Sequence, residues 1–506
     1  IKSDESFLLY DEEPDFWNIC FWYLPSHLRH FTDIEQYAEE DKESLEKLTL
    51  SICRCIKKDG RVWINHAKIK KYPSFIRLVL NNGNLTSNDF KKFAEIIKSL
   101  GDILSSDTKK ILTSGGDERL EIDTNRLNYI LISPEPRENI VSRSSCTGSY
   151  VSEENYRYLE RLLADMHSAK VSFSESMKNV HYMMRDILQV DHKIGIVTIP
   201  SGTDSEYIPL LIAEAYMAKY NYKKIINIVT GSGEIGSDSA VAASGRYYKA
   251  TTPSGYSVNP DEKLFKTDNL EVINISLRCK STGKPIDKKE IWKNELEKYL
   301  ADDKVMVILH IVDSSKLGYR MDFVEDIKSL NRQYSKRLLT VIDACQSRAD
   351  ISRIRQYLKY GCMVIITGSK FEEGPPFSGA TIIPEMITDS LTKEDFVFFP
   401  DGLKNFITEY DVSGSIKDML SEHLPSWMNC GLMMRWTCAL INWQNYRSIE
   451  QEYRNRMVRE WIANFLNLAK QYPDLEIFSG GEAQQGAVGD LNSIISLKII
   501  YHDKPI

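Results

Sequence analysis

Two apolar runs in this chain end in residues of opposite reactive character. "RLLTVID" closes on the carboxylate of Asp343, and "CMVIITGSK" leads through a short turn to the amine of Lys370. A carboxylate and an amine at neighbouring strand ends can hold and move protons, and an amine that has lost its proton is a nucleophile. Ahead of both lies "IVTIPSGTDSE" (196–206), a strand pattern that runs through Gly202 into a helix start with Thr203, Asp204 and Ser205. Unpaired N–H groups at such a start bind phosphate. The same residue types also serve as ordinary helix caps. A third motif, "KIINIVTGSGEIGSDS", places Gly231, Gly233 and Gly236 in the pattern G-x-G-x-x-G after a strand, the context of a dinucleotide fingerprint. The next apolar run, "LEVINISL", ends without the acidic residue that would hold a ribose, so a dinucleotide-binding oxidoreductase is the lesser alternative.

These residues need a scaffold that brings strand ends together. From about residue 190, short apolar runs alternate with amphipathic segments, at 193–199, 224–230, 270–277, 304–312, 337–343, 362–368 and 379–384. Doubly apolar strands alternating with helices predict an α/β fold with a mainly parallel, seven-stranded sheet sandwiched by helices. Ligands of such sheets bind beyond the carboxyl ends of the strands. Residues 1–140 carry helical spacing at 34–58 and 87–104 and are expected to form a mostly helical region. The large domain is placed at 141–400. Residues 401–506 are expected to hold a helical connection, with one helix over 450–473, and then strands that open a small C-terminal domain.

At this point the residues resemble a known family. "D-A-C-Q" (343–346) followed by "T-G-S-K-F-x-x-G-P-P" (367–376) is similar to the fold-type I pyridoxal-phosphate enzymes, within them the class V aminotransferase and cysteine desulfurase group. The resemblance implies pyridoxal 5'-phosphate as cofactor, with Lys370 forming the Schiff base, Asp343 pairing with the pyridinium nitrogen and Gln346 contacting the ring hydroxyl. It implies a phosphate site at Gly202, Thr203 and Asp204, aided by Thr367 and Ser369. In the family a histidine that stacks on the ring follows an acidic residue. Here Glu234 is followed by Ile235, which leaves another group to cover that face and leaves the reaction open.

The resemblance further implies a small amino acid or amine substrate and a homodimer with shared sites. In "SSCTGSY" (144–150), Thr147 and Ser149 are candidates to meet substrate or a partner's phosphate. Arg435 and Arg348 are candidates for a carboxylate clamp, since the guanidinium fork matches that group. Transamination and lyase chemistry both stay open. A desulfurase needs a mobile cysteine downstream of the lysine; "SGGEAQQGAVGD" (479–490) has none, and Cys430 and Cys438 lie in a segment that reads as a buried helix. The alternative of another class is a scaffold of this shape that has lost catalysis and serves in binding or assembly. The long N-terminal region suggests a special substrate, a protein partner or a regulatory task.

Composition narrows the remaining classes. The 506 residues, 42% apolar and 27% charged, are those of a soluble globular protein too long for one core. A net charge of -7 gives no general attraction for nucleic acid or anionic lipid. Nine scattered cysteines, without a signal-like or membrane-spanning run, fit a reduced, cytoplasmic protein. No metal site is expected, because His27 and His30 lack further ligands at metal spacing. Cys53 and Cys55 point apart on a helix. Cys345 is expected to be a small residue facing away from the cofactor.

Overall fold

The computed structural model describes residues 2–14, 17–138, 140, 148–279, 281, 286, 288–317, 324–348, 350–480, 494–501 and 504–505. Near the N-terminus, short aromatic and β-branched runs form β1 (Phe7–Leu9), β2 (Asn18–Tyr23), β3 (Asn65–Ala67) and β4 (Phe75–Val79). They pair antiparallel in the order β1-β2-β4-β3. The two expected helices lie between and after them. The first, α1 (Glu39–Asp59), has acidic residues in its first turn, lysines in its last and Gly60 as a left-handed cap. The second, α2 (Ser87–Leu104), starts at a reciprocal Thr86–Asp89 capping box. The region therefore contains a sheet that helical spacing alone did not reveal, because strands of three to six residues carry too little periodicity.

This unit is joined to the rest of the chain on several sides. Arg61 pairs with Glu409 at 3.0 Å and stacks over the Tyr410 ring. Glu95 and Ser99 accept the backbone N–H groups of Ser426 and Met428.

Three helices, α3 (Thr108–Leu112), α4 (Glu153–His167) and α5 (Phe173–Leu188), lead into the main sheet. There follow β5 (Gly195–Ile199), α6 (Tyr207–Tyr220), β6 (Lys224–Ser232), α7 (Ser239–Ala243), β7 (Leu270–Ser276), α8 (Lys288–Leu300), β8 (Val305–Val312) and α9 (Val324–Gln333). Next come β9 (Leu338–Asp343), α10 (Ile351–Lys359), β10 (Met363–Thr367), β11 (Gly379–Ile383), α11 (Glu385–Thr388), β12 (Val412–Ser413) and α12 (Ser415–Leu420). The chain then forms α13 (Cys430–Ser448), α14 (Gln451–Ala469) and the small sheet β13 (Leu475–Gly480), β14 (Ile495–Tyr501) and β15 (Lys504–Pro505).

The main sheet has the order β12-β5-β11-β10-β9-β8-β6-β7. All seven expected strands are present. The eighth, β12, is a two-residue edge antiparallel to β5 and too short to announce itself in sequence. The pairs β10–β9, β9–β8, β8–β6 and β6–β7 are parallel, and β11 runs antiparallel to both β10 and β5. Strand residues alternate between two cores, as the pleat requires. On β8, Val305, Val307 and Leu309 join the core of α5 and α13, whereas Met306 and Ile308 join the core of α6. Both faces are thereby covered, and the carboxyl ends of β8, β9 and β10 open into one crevice.

Candidate active site

Burial on both faces leaves only the ends of these strands free to present chemistry. A cavity of about 360 Å³ lies there, and its lining includes Gly202, Thr203, Glu234, Asp343, Gln346, Thr367, Ser369 and Lys370. Eight expected site residues, drawn from four strand ends, thus meet in one place. Asp343 ends β9, and its Oδ1 accepts the Cys345 N–H at 3.0 Å, which orients the carboxylate. Among the described residues neither Asp343 nor Lys370 is engaged in an ion pair. Gln346 is 3% exposed, and its side-chain Oε1 finds no partner. An orphaned amide atom in a cavity wall is costly unless a ligand completes it.

The loop 200–206 is shaped by close approach. A Cβ on Gly202 would stand 2.5 Å from Cys345 Sγ and 3.2 Å from Thr367 Cγ2, so only glycine lets the loop cross the strand ends. Ser201 and Asp204 cap the turn reciprocally: the Ser201 hydroxyl donates to Asp204 Oδ2 at 2.8 Å and accepts the Asp204 N–H at 3.0 Å. Asp204 Oδ1 accepts the Tyr248 hydroxyl at 2.7 Å. Burial pushes the Asp204 carboxyl up to about 6. Its oxygens are therefore committed to protein groups, and it braces the loop rather than facing the cavity. Thr367 is committed as well, its hydroxyl donating to the Cys345 carbonyl at 2.7 Å. Ser369, Ser237 and Ser239 supply further hydroxyls to the lining.

Beneath the floor lies a buried pair that sequence reading missed. Glu206 Oε2 and His310 Nδ1 are 3.1 Å apart. Burial, and then the neighbouring Asp343 carboxylate, push Glu206 well above the carboxylate range, and burial drops His310 to about 3. The imidazole is therefore neutral near pH 7. A carboxyl at Glu206 that holds its proton more tightly lessens the repulsion at Asp343.

Several expectations change. Glu234 reaches the lining, but its carboxylate is paired with Arg278 Nε at 2.5 Å and accepts the Ser315 hydroxyl at 2.6 Å. Ile235, which stands in sequence where the resemblance implies a histidine, lines the cavity. Cys345 lines the cavity rather than facing away, and burial followed by Asp343 raises its thiol far above the reactive range. The substrate role expected of Arg435 gives way to a structural one. Arg435 is fully buried, and its guanidinium donates to the carbonyls of Phe377, Leu112, Ser114 and Gly115 at 2.6–3.0 Å. Arg348 lies over the Phe371 ring, 5.2 Å from its centroid. Ser149 is half-buried beside the rim, where Gly148 packs against Ile130 and Pro376. Thr147 and residues 481–490 lie outside the described residues.

The arginine that does line the cavity is Arg119. It is held by Asp117 through Nε at 2.9 Å and Nη2 at 2.5 Å, and it stacks over Phe377 at 4.9 Å. Tyr129, Ile130 and Lys316 complete the wall. Phe377 holds a left-handed backbone, φ 72°, as do Ser347 at 53° and Glu373 at 51°. Strained non-glycine residues gather at functional sites, where the surroundings fix them. Here Arg435 grips the Phe377 carbonyl.

The rival glycine loop takes a different form. The helix after it, α7, has five residues, too short for the amide array and dipole of a dinucleotide site.

No family model matches the chain. Its structure is similar to a cysteine desulfurase from Thermococcus onnurineus NA1 in its apo form, at 10% identity over 64% of this chain and 68% of that one, with a TM-score of 0.39. It is also similar to an alanine–glyoxylate aminotransferase from Nostoc sp., at 15% identity, 76% and 85% coverage and a TM-score of 0.40. A third is a Catharanthus roseus tryptophan decarboxylase in complex with L-tryptophan, at 13% identity, 83% and 86% coverage and a TM-score of 0.41.

Proposed function

We propose that this protein is a pyridoxal-phosphate-dependent enzyme of transferase or lyase type that acts on a small amino acid or amine, with Lys370 as the residue that carries the cofactor. The observation that supports it is the convergence, in one cavity, of a lysine and an aspartate without ion-pair partners and of an orphaned Gln346 amide. The residues fit the group. Asp343 suits a protonated ring nitrogen, the Gln346 amide a ring hydroxyl, and the amides of Gly202 and Thr203 with the Ser369 hydroxyl suit the phosphate. When bound, the cofactor supplies an electron sink for bonds at the carbon beside the substrate nitrogen.

The chain's own residues set the conditions for that chemistry. Asp343 would hold the proton on the ring nitrogen, and the Glu206 carboxyl near it is pushed towards its protonated form by burial and then by Asp343. Lys370, free of a carboxylate, is available to take a proton from the substrate carbon and return one. Phe377, Ile235, Ile130 and the stacked Arg119 wall the cavity and restrict water. A homodimer and a cytoplasmic setting belong to the same proposal; among the described residues no helix is long and apolar enough to cross a membrane. Ile235 in place of a histidine, and the structural burial of Arg435, favour one competing reading, a non-catalytic scaffold of the same shape.

The test is the visible absorption of the protein after loading with pyridoxal phosphate, followed by borohydride reduction and peptide mass mapping. The expected result is a visible band and a reduced adduct on Lys370, both absent in Lys370→Ala. An adduct on Lys316, the other lysine of the lining, would overturn the assignment, and a protein that stays colourless and unlabelled would leave the scaffold reading.

A further inference from the structure

Outside the crevice, one cluster of cations, exposed at Lys178 and half-buried at Arg185 and Lys417, lacks carboxylate partners. On α5, Lys178, His181 and Arg185 recur at spacings of three and four and so share one face. That face borders a cavity of about 330 Å³, closed on the other side by Ser413 of β12 and Lys417 of α12. Arg185 is fixed in place by neutral groups: Nη1 donates to the carbonyls of Asp191 and Ile194 at 3.1 and 2.7 Å, and Nη2 to Ser413 Oγ at 2.9 Å. Among the described residues neither Lys178, Arg185 nor Lys417 is ion-paired with a carboxylate. Two of the neighbouring acids are otherwise engaged. Glu409 pairs with Arg61 at 3.0 Å, and Asp191 pairs with His192 at 3.0 Å.

A second observation points to a ligand. His181 lines the same cavity, is 5% exposed, and its Nε2 has no hydrogen-bond partner. Burial, then Arg185 and Lys417, hold this imidazole neutral, with a value near 3, against a hydrogen bond from the ring to the Asp411 backbone that favours the proton. Lys417 is likewise pulled down by burial, with Lys178 and Arg61 adding repulsion and Glu409 and Asp418 opposing it. The pocket thus presents three cations, two on α5 and one on α12, together with an unsatisfied imidazole nitrogen. A tetrahedral oxyanion matches this set, because its oxygens can accept charge-assisted bonds from each cation while a remaining hydroxyl donates to the imidazole.

We propose that the pocket between α5 and the β12–α12 junction binds a phosphate-class oxyanion, either inorganic phosphate or the phosphate of a small metabolite. The site is separate from the candidate active site and does not depend on the function proposed for it. The test is calorimetric titration of the full chain, preloaded with pyridoxal phosphate, with inorganic phosphate and in a second arm with glycerol phosphate. One saturable site per chain is expected, weakened about tenfold or more in Lys178→Glu and in Lys417→Glu. Lys178→Gln, at an exposed position, guards against misfolding and should weaken binding in the same direction with the melting temperature kept. Preference for one titrant over the other identifies the source of the phosphate. Absence of saturable binding, or binding indifferent to both charge reversals, would overturn the proposal.

Discussion

The loops at 200–206 and 231–236 both carry glycine after a strand of the same sheet, yet they are built for different tasks. Gly202 is required because its neighbour Cys345 leaves no room for a side chain, and the loop feeds directly into α6, whose first ten residues are all buried. Gly233 has open space around its Cα and is required only by its backbone, φ +90°. Its loop turns back through the Glu234 and Ile235 N–H groups onto the Gly231 carbonyl and is followed by the short α7. The dinucleotide-like pattern is therefore the looser of the two structures. A glycine fingerprint locates a turn; the helix behind the turn decides whether it can hold a phosphate.

This contrast can be broken most sharply at Gly202. Gly202→Ala is expected to cost about 1–3 kcal/mol by overpacking and to abolish retention of pyridoxal phosphate through gel filtration. The loss should be partly restored by adding Cys345→Ala, which removes the clashing sulfur, with a coupling of about 1 kcal/mol in a double-mutant denaturation cycle. Gly233→Ala is expected to cost about 1 kcal/mol through its left-handed backbone alone, with cofactor retention unchanged. If Gly233→Ala released the cofactor and Gly202→Ala did not, the roles of the two loops would be reversed.

The smallest effect lies in the helix behind the first loop. Glu214 on α6 is buried, and burial alone raises its carboxyl from 4.5 to about 7. Below pH 4.5 the group is protonated in both folded and unfolded chains and contributes nothing. Between 4.5 and about 7 the unfolded chain gives up the proton first, so stability falls as pH rises, and it levels off above. Glu214→Gln is expected to raise the melting temperature at pH 8, leave it unchanged at pH 4 and flatten the slope between. An unaltered pH profile would mean that the carboxyl reaches water.

How far these features could be read in advance depended on how local each one is. The seven long strands, and Asp343 and Lys370 at their ends, were legible because an apolar run and its terminal residue sit together in sequence. Arg119, Tyr129, Ser237, Ser239 and Lys316 were not, since no periodicity marks them and only tertiary folding brings them to the cavity. Cys345 was misdirected by the turn after β9. There Ser347 takes a left-handed conformation and its N–H returns to the Ala344 carbonyl, so strand alternation no longer says which way a side chain faces. Arg435 sits on a helix buried nearly all round, where a charged residue reads equally well as a ligand or a brace. Its partners decide, and three of the four lie more than three hundred positions away.

Those distant partners also bear on the order in which the molecule is assembled. Arg435 joins the segment 112–115 to α13 across at least 320 residues of intervening chain, and the same guanidinium fixes Phe377 in the cavity wall. Contacts of such separation form late, after the loop they close has been ordered by nearer ones. While the chain is still being made, the strands from β5 to β11 can pair before α13 exists, but the wall carrying Phe377 and Arg119 cannot close. Capture of a small molecule in the crevice is thus among the last events of folding, and a chain cut short before Arg435 has strand ends without a chamber.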